Sequence, residues 1–208
     1  MKPMDTAPSS NRWPIILGVL GVIAFLVIAV VVWAVSANNQ LVRLQENTRS
    51  TWAQVETVLQ RRFDLIPNLV STVKGYAAHE KEILEETTRL RSQWGAAKTV
   101  AEKAEAAGQL EGTLARLLVV AEKYPDLKAN QNFRDLQFEL AGTENRISVE
   151  RQRYNDAVRA YNTSVRSFPT SIVASFGGFH PSDAYFEAAP AAKEVPKVDF
   201  GTEEKKKG

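Results

Sequence analysis

The stretch RRFDLIPNLV places charged and amide side chains around a proline. Arg62, Asp64 and Asn68 flank Pro67, and guanidinium, carboxylate and amide groups are types that bind anions or transfer protons in active sites. These four residues are therefore the first candidate site in the chain.

The same stretch also has a structural interpretation, which we favour. Arg61 and Asp64 are spaced i,i+3 and can pair on one helix face. Asp64 also stands three residues before Pro67, where it can cap a helix that has the proline in its first turn. Asn68 would then bond the backbone group that the proline frees, or a residue on the last predicted helix.

A second candidate is a short repeat, YNDAV followed by YNTSV. Tyr154 and Tyr161 are seven residues apart, as are Asn155 and Asn162, so each pair aligns along one helix in the manner of a coiled coil. Tyrosine combines bulk with a polar tip, and asparagine can bond sideways to a neighbour. We interpret the repeat as a polar seam that fixes packing register. The functional alternative is a polar groove that binds a partner segment.

The residues typical of enzymes and cofactor sites are sparse. The chain has no cysteine, and its two histidines, His79 and His180, lie in different regions without the Glu-x-x-His spacing of di-iron bundles. The carboxylates of HEKEILEE are typical of a solvated helix face. ASFGGF lacks the lysine of a phosphate-binding loop. We predict no catalytic, metal or cofactor site.

The composition of the chain narrows the possible classes of function further. The chain has 208 residues, of which 44% are hydrophobic and 24% charged, with a net charge of +2. That charge is too small to indicate nucleic acid as a partner.

Residues 15–35, IILGVLGVIAFLVIAVVVWAV, carry no charge. As a helix they span about 30 Å, the hydrocarbon thickness of a bilayer. The run is longer than the roughly 7–15 apolar residues of a signal peptide, so we predict an uncleaved membrane helix after a short tail, residues 1–14. Lys2 and Arg12 nearly balance Arg43 and Arg49, and the proximity of Arg12 slightly favours an outward-facing C-terminal domain.

The remaining pattern is helical. Apolar residues recur every three or four positions, and strand-type alternation is absent, which predicts an all-α fold. We predict four helices, at residues 38–63, 67–94, 97–123 and 126–168, in an antiparallel four-helix bundle. The alternative is one helix that bends at Pro67 without turning back.

The aromatic segment SIVASFGGFHPSDAYFEA follows the last helix. We expect Phe176, Phe179, Tyr185 and Phe186 to pack back onto the bundle or the membrane surface. The domain would then comprise residues 38–188, and residues 189–208 would form a disordered tail.

Three of these motifs together resemble the LemA family of bacterial membrane proteins. They are RRFDLIPNLVSTVKGYAAHEKEIL, ENRISVERQRYNDAVRAYNTSVRSFP and GFHPSDAYFEA, within a resemblance that covers residues 41–188. The resemblance implies a single membrane helix in the bacterial inner membrane, a four-helix bundle and no established enzymatic activity. Related magnetosome-membrane proteins are implicated in membrane organisation.

We therefore expect a non-enzymatic scaffold or adaptor that is anchored in the lipid bilayer by residues 15–35 and binds other proteins. The alternative is a membrane-remodelling or lipid-organising protein. A helical-bundle enzyme is a third class, and homo-oligomerisation is left open.

Overall fold

The computed structural model describes residues 13–186, apart from the side chain of residue 15. Six α-helices and no strand occur in this part of the chain, so the predicted all-α class is confirmed. The helices are α1 (Trp13–Lys74), α2 (Lys81–Ala96), α3 (Val100–Ala121), α4 (Pro125–Ala129), α5 (Gln131–Arg166) and α6 (Thr170–Gly177). The predicted C-terminal tail, residues 189–208, and most of the predicted N-terminal tail lie outside the described residues.

Helix α1 corrects the predicted helix boundaries. The apolar span continues without interruption into the segment predicted as the first bundle helix, residues 38–63. Helix α1 also passes through Pro67 instead of ending before it. The chain leaves helical structure at Gly75, eight residues after the proline, and α2 begins at Lys81. The predicted boundary near Pro67 was therefore wrong, and the alternative of one continuous helix describes this segment.

Burial explains why the proline does not end α1. Pro67 removes one helical hydrogen bond and costs about 3 kcal/mol or more. Five apolar residues around it are at most 1% exposed, and they are Leu59, Phe63, Ile66, Leu69 and Val73. Each such side chain contributes roughly 1.5–3 kcal/mol when buried. Because their helical spacing continues unchanged past Pro67, one unbroken helix buries all five.

The chain forms two units, which we describe separately. The anchor unit comprises residues 13–49 and 157–182 of the described chain, and the core unit comprises residues 50–156 and 183–186. In the core unit, α1 contacts α2 through stacked rings of Phe63 and Trp94, 4.6 Å apart. It contacts α3 through an ion pair between Glu56 and Lys103.

Three helices of the core unit begin at residues that favour a helix start. Thr99 precedes α3, where its hydroxyl accepts from the Glu102 amide at 3.2 Å while the Glu102 carboxylate accepts from the Thr99 amide at 3.0 Å. This reciprocal pair satisfies two amides that a helix start leaves free. Pro125 lies in the first turn of α4. The Asn130 side chain accepts from the Phe133 amide at 3.0 Å at the start of α5.

The anchor unit has a small core of its own. Leu41 of α1, Tyr161 and Val165 of α5 and Ala174 of α6 are buried together, and Leu44, Val173 and Phe179 pack against them. Helix α6 ends at Gly177 and is followed by Gly178, whose φ of 72° is the left-handed conformation that glycine adopts at helix ends.

Candidate functional site

Asn155 binds the backbone of the C-terminal segment within the core unit. Its Nδ2 donates to the Phe186 carbonyl at 2.9 Å, and its Oδ1 accepts from the Phe186 amide at 2.9 Å. A primary amide carries one donor group and one acceptor group, so it can pair with both the backbone carbonyl and the backbone amide of one residue.

Asn162 makes the same contact within the anchor unit. Its Nδ2 donates to the Ser182 carbonyl at 2.7 Å, and its Oδ1 accepts from the Ser182 amide at 2.8 Å. The neighbouring Tyr161 hydroxyl donates to the His180 carbonyl at 3.0 Å. Both asparagines of the repeat therefore hold backbone of this chain.

These contacts have a clear physical cause. Residues 180–186 lie outside any helix and beyond the last bond of α6, in which the Phe179 amide donates to the Ala174 carbonyl at 3.0 Å. A backbone polar group that is removed from water needs a hydrogen bond. The two asparagine side chains supply such bonds to the backbone of Phe186 and of Ser182. An aspartate in place of either asparagine would lack the donor, and a leucine would lack both the donor and the acceptor.

The rings beside the first contact form an aromatic cluster. Trp52 stacks on Phe186 with centroids 5.7 Å apart, and Tyr154 meets both rings edge-on at 5.5 and 5.8 Å. The Arg151 guanidinium lies 5.2 Å from the Phe186 ring centroid. Burial raises the pKa of the Tyr154 phenol, so it stays neutral to higher pH than a phenol in water.

Two of the four aromatic residues of the segment pack on protein, since Phe186 lies in the cluster and Phe179 packs against the anchor-unit core. Tyr185 is 40% exposed and Phe176 is 90% exposed, so for these two the predicted alternative, the membrane surface, stays a prediction. Phe176 lies on the side of α6 away from Ala174, which is the buried residue of that helix.

The arginines before Pro67 pair with α5. Arg62 is buried and forms an ion pair with Glu144, while the exposed Arg61 donates to Glu139 at 2.9 Å. The expected pair between Arg61 and Asp64 is absent, because Asp64 accepts instead from Gln60 at 2.8 Å.

Asp64 also does not cap a helix, because it lies inside α1. Pro67 and Asn68 are exposed, and the Asn68 carbonyl accepts from the Thr72 hydroxyl at 2.8 Å. The first candidate stretch is thus divided between a buried ion pair and an exposed helix face.

The described residues offer no metal-binding cluster. Among residues 13–186, no three side chains of the His, Cys, Asp or Glu types come close enough to hold an ion. His79 and His180 are both exposed.

Sequence reasoning missed the partners of the candidate residues. Glu144, Trp52, Ser182 and Phe186 carry no motif that announces a contact with Arg62 or with the repeat. The segment FHPSDAYF was visible as aromatic and non-helical, and its need for backbone partners was the available signal.

Comparison with known proteins agrees with the family resemblance. A model of the LemA family matches residues 51–200. Magnetosome protein MamQ 2 of Paramagnetospirillum magneticum is 27% identical over 217 aligned positions, which cover 90% of this chain and 78% of that protein. Protein LemA of Metamycoplasma hominis is 25% identical over 173 positions, covering 82% of this chain and 76% of its own.

Helix α1 contains one stretch that is long and apolar enough to cross a membrane, and none of that stretch is buried against protein. This apolar stretch and the relatives together indicate a membrane protein. The family match covers well over half of the chain and includes both candidate stretches, so this chain belongs to the LemA family.

Proposed function

We propose that this protein is a non-enzymatic scaffold or adaptor, anchored in the bacterial inner membrane by residues 15–35, whose helical domain binds other proteins. Family membership and the exposed apolar stretch of α1 support the anchor. The side chains that could have formed a reactive site instead stabilise the fold. Arg62 is paired with Glu144, and Asn155 is paired with the Phe186 backbone.

The observation that carries the binding role is an exposed stripe on α5. Phe138 is 82% exposed and Val149 is about half exposed. They are eleven residues apart, which returns to the same side of a helix, about 16 Å further along. Aromatic side chains often anchor protein interfaces, so the exposed Phe138 is a candidate anchor for a partner.

The residues between them are small or neutral. Ala141, Gly142 and Asn145 are exposed on the same side, and a Cβ added at Gly142 would meet nothing within 4 Å. We name the five residues from Phe138 to Val149 on this side the α5 stripe. Its low relief fits a partner helix that places apolar side chains beside Phe138.

Co-purification tests this role. The full-length protein is isolated in mild detergent as wild type, as Phe138→Asp and as a matched control, Val119→Asp, which alters an exposed apolar residue on α3. We expect specific partners with wild type and Val119→Asp, and their selective loss with Phe138→Asp. The absence of specific partners from all three proteins would refute the scaffold role. Retention by Phe138→Asp would refute the α5 stripe as the binding surface.

A second candidate is a membrane-organising role. Its support comes from the relatives named as magnetosome proteins, which align with most of this chain. Reconstitution of the full-length protein into vesicles, followed by electron cryomicroscopy, would test it. Vesicles with the size and shape of protein-free vesicles would contradict this second role.

The orientation of the domain is also a proposal. The position of Arg12 beside the apolar span favours an outward-facing domain. Protease digestion of the domain in spheroplasts, with protection in inverted membrane vesicles, is the expected result. The opposite pattern would place the domain in the cytoplasm.

A further inference from the structure

Helix α6 carries an apolar face that is largely exposed among the described residues. Phe176 is 90% exposed, Ile172 about half, and Phe168, in the turn before the helix, is 81% exposed. Ile172 and Phe176 are spaced i,i+4 and therefore lie on one side of the helix. Leaving three large apolar side chains together in water is unfavourable, so this face is expected to have an apolar neighbour.

The opposite side of α6 packs against α1 just beyond the apolar span. Val173 and Ala174 belong to the core that contains Leu41. At the end of α6, a Cβ added to Gly177 would lie 3.4 Å from the Asn38 side-chain oxygen. Both contacts are with the first residues of α1 that follow the predicted span.

The rise of the helix gives the position of these contacts relative to the bilayer, measured from the end of the apolar span at Val35. Asn38 is three residues beyond the end of the span at Val35, and Leu41 is six residues beyond it, which correspond to about 4.5 and 9 Å along the helix. The headgroup layer of a bilayer is roughly 5–8 Å thick on each side of the hydrocarbon. The end of α6 at Gly177 thus meets α1 within the headgroup layer, and Val173 and Ala174 pack with Leu41 at the outer edge of that layer.

The exposure of α1 changes at the same level. The large apolar residues from Ile16 to Val35 are exposed, whereas Ala37 is buried by protein. Protein therefore begins to cover α1 where the predicted hydrocarbon ends.

The charge of the anchor unit suits a lipid surface. Among its described residues Glu46 is the one carboxylate, and it pairs with Arg49 at 2.8 Å. The cations of the unit are arginines, at positions 43, 49, 159 and 166. An excess of arginine in a unit that also carries an exposed apolar helix face is a composition that favours binding to anionic membrane interfaces.

We propose that α6 is an interfacial helix, which lies on the bilayer with Phe168, Ile172 and Phe176 inserted at the boundary between headgroups and acyl chains. The apolar face of α6 is covered by the lipid bilayer that surrounds the membrane helix of the same protein. This second membrane contact would limit the tilt and rotation of α1 and would set the distance of the anchor unit from the bilayer. The proposal depends on α1 spanning the membrane and not on any protein partner.

Spin labelling can measure this depth directly, because the protein has no native cysteine. Full-length Ile172→Cys and Phe176→Cys proteins are labelled with a nitroxide and reconstituted into vesicles of phosphatidylcholine and phosphatidylglycerol. Collision with oxygen, which enriches in the acyl region, is compared with collision with a water-soluble nickel chelate.

Two positions on α1 calibrate the scale. Val27→Cys reports the hydrocarbon, and Arg49→Cys, about 21 Å beyond Val35, reports water. We expect the ratio of oxygen to nickel collisions at positions 172 and 176 to be several-fold higher than at position 49 and lower than at position 27. Unchanged helical circular dichroism would confirm that each labelled protein is folded.

Two results would overturn the proposal. A ratio at position 176 equal to that at position 49 would show that α6 is in water. A label that neither reagent reaches would show that protein, such as a second copy of this chain, covers the face. Both results are independent of co-purification with Phe138→Asp, so this inference and the scaffold role can fail separately.

Discussion

The side-chain amide of Asn155 forms two hydrogen bonds with the backbone of Phe186, each 2.9 Å long. The pairing fastens a non-helical segment to α5 and places the Phe186 ring against Trp52. The asparagines of the repeat that the sequence presented as a polar seam bind backbone and not a polar residue on another helix, and the role of the repeat in fixing packing register stays a prediction.

We predict that Asn155→Ala lowers the free energy of unfolding by about 1–3 kcal/mol, because two net hydrogen bonds of roughly 0.5–1.5 kcal/mol each are lost. Chemical unfolding of the full-length protein in detergent, followed by circular dichroism, measures this loss. Amide hydrogen exchange at Phe186 should also accelerate. Asn145→Ala on the exposed side of α5 is the matched control and should change neither quantity. Unchanged exchange at Phe186 in Asn155→Ala would contradict the pairing.

The buried ion pair should respond unequally to the removal of each partner. Arg62 is 8% exposed at its side chain and Glu144 is 34% exposed. Glu144→Gln leaves the guanidinium without its counter-charge and should cost about 1–3 kcal/mol, below the range for fully buried pairs.

Arg62→Met should cost less than Glu144→Gln, because methionine removes the buried charge and an Nε that has no hydrogen-bond partner among the described residues. Urea unfolding of both variants gives the comparison. Arg61→Met, which removes an exposed pair with Glu139, is the control and should cost about 0–1 kcal/mol. Equal losses for Arg61→Met and Glu144→Gln would contradict this ranking.

Replacement of Pro67 distinguishes a continuous helix from a turn. Pro67→Ala restores the amide that can donate to the Phe63 carbonyl and improves helix propensity, so stability should rise by about 1–3 kcal/mol. Thermal or urea unfolding measures the change. Asn68→Ala, at the next exposed position, should have a smaller effect. A destabilised Pro67→Ala protein would indicate that the proline has a required turn conformation.

Ionisation of the Tyr154 phenol makes the free energy of unfolding depend on pH in the alkaline range. Burial raises its pKa in the folded state above the unfolded value of about 10, so the folded state holds the proton to higher pH. The stabilisation is complete below about pH 10 and is lost as pH rises from there through the folded pKa.

Tyr154→Phe keeps the ring and removes the ionisable group. We expect a shallower decline of the free energy of unfolding between about pH 9 and 12 than in the wild type. Identical slopes for Tyr154→Phe and the wild type would show that this phenol does not contribute.

The amino-acid sequence by itself determined the all-α class and the apolar span. Leu59, Phe63, Ile66, Leu69 and Val73 recur at steps of three and four residues, which is the spacing of one helix face, and all five are buried. Such patterns are local, since helix periodicity depends only on neighbours three and four positions away. The family resemblance, which the match over residues 51–200 confirms, rested on three motifs of the same chain.

Tertiary structure decided the outcome wherever a local rule competed with burial or with a distant partner. Pro67 locally favours a helix boundary, but the buried residues on both sides of it keep α1 continuous. Arg61 had a neighbour at Asp64, but it pairs with Glu139, which is 78 residues away. Asn155 and Asn162 bind backbone groups that are 31 and 20 residues further along the chain. No local pattern can specify such partners, because the fold alone brings them within hydrogen-bonding distance.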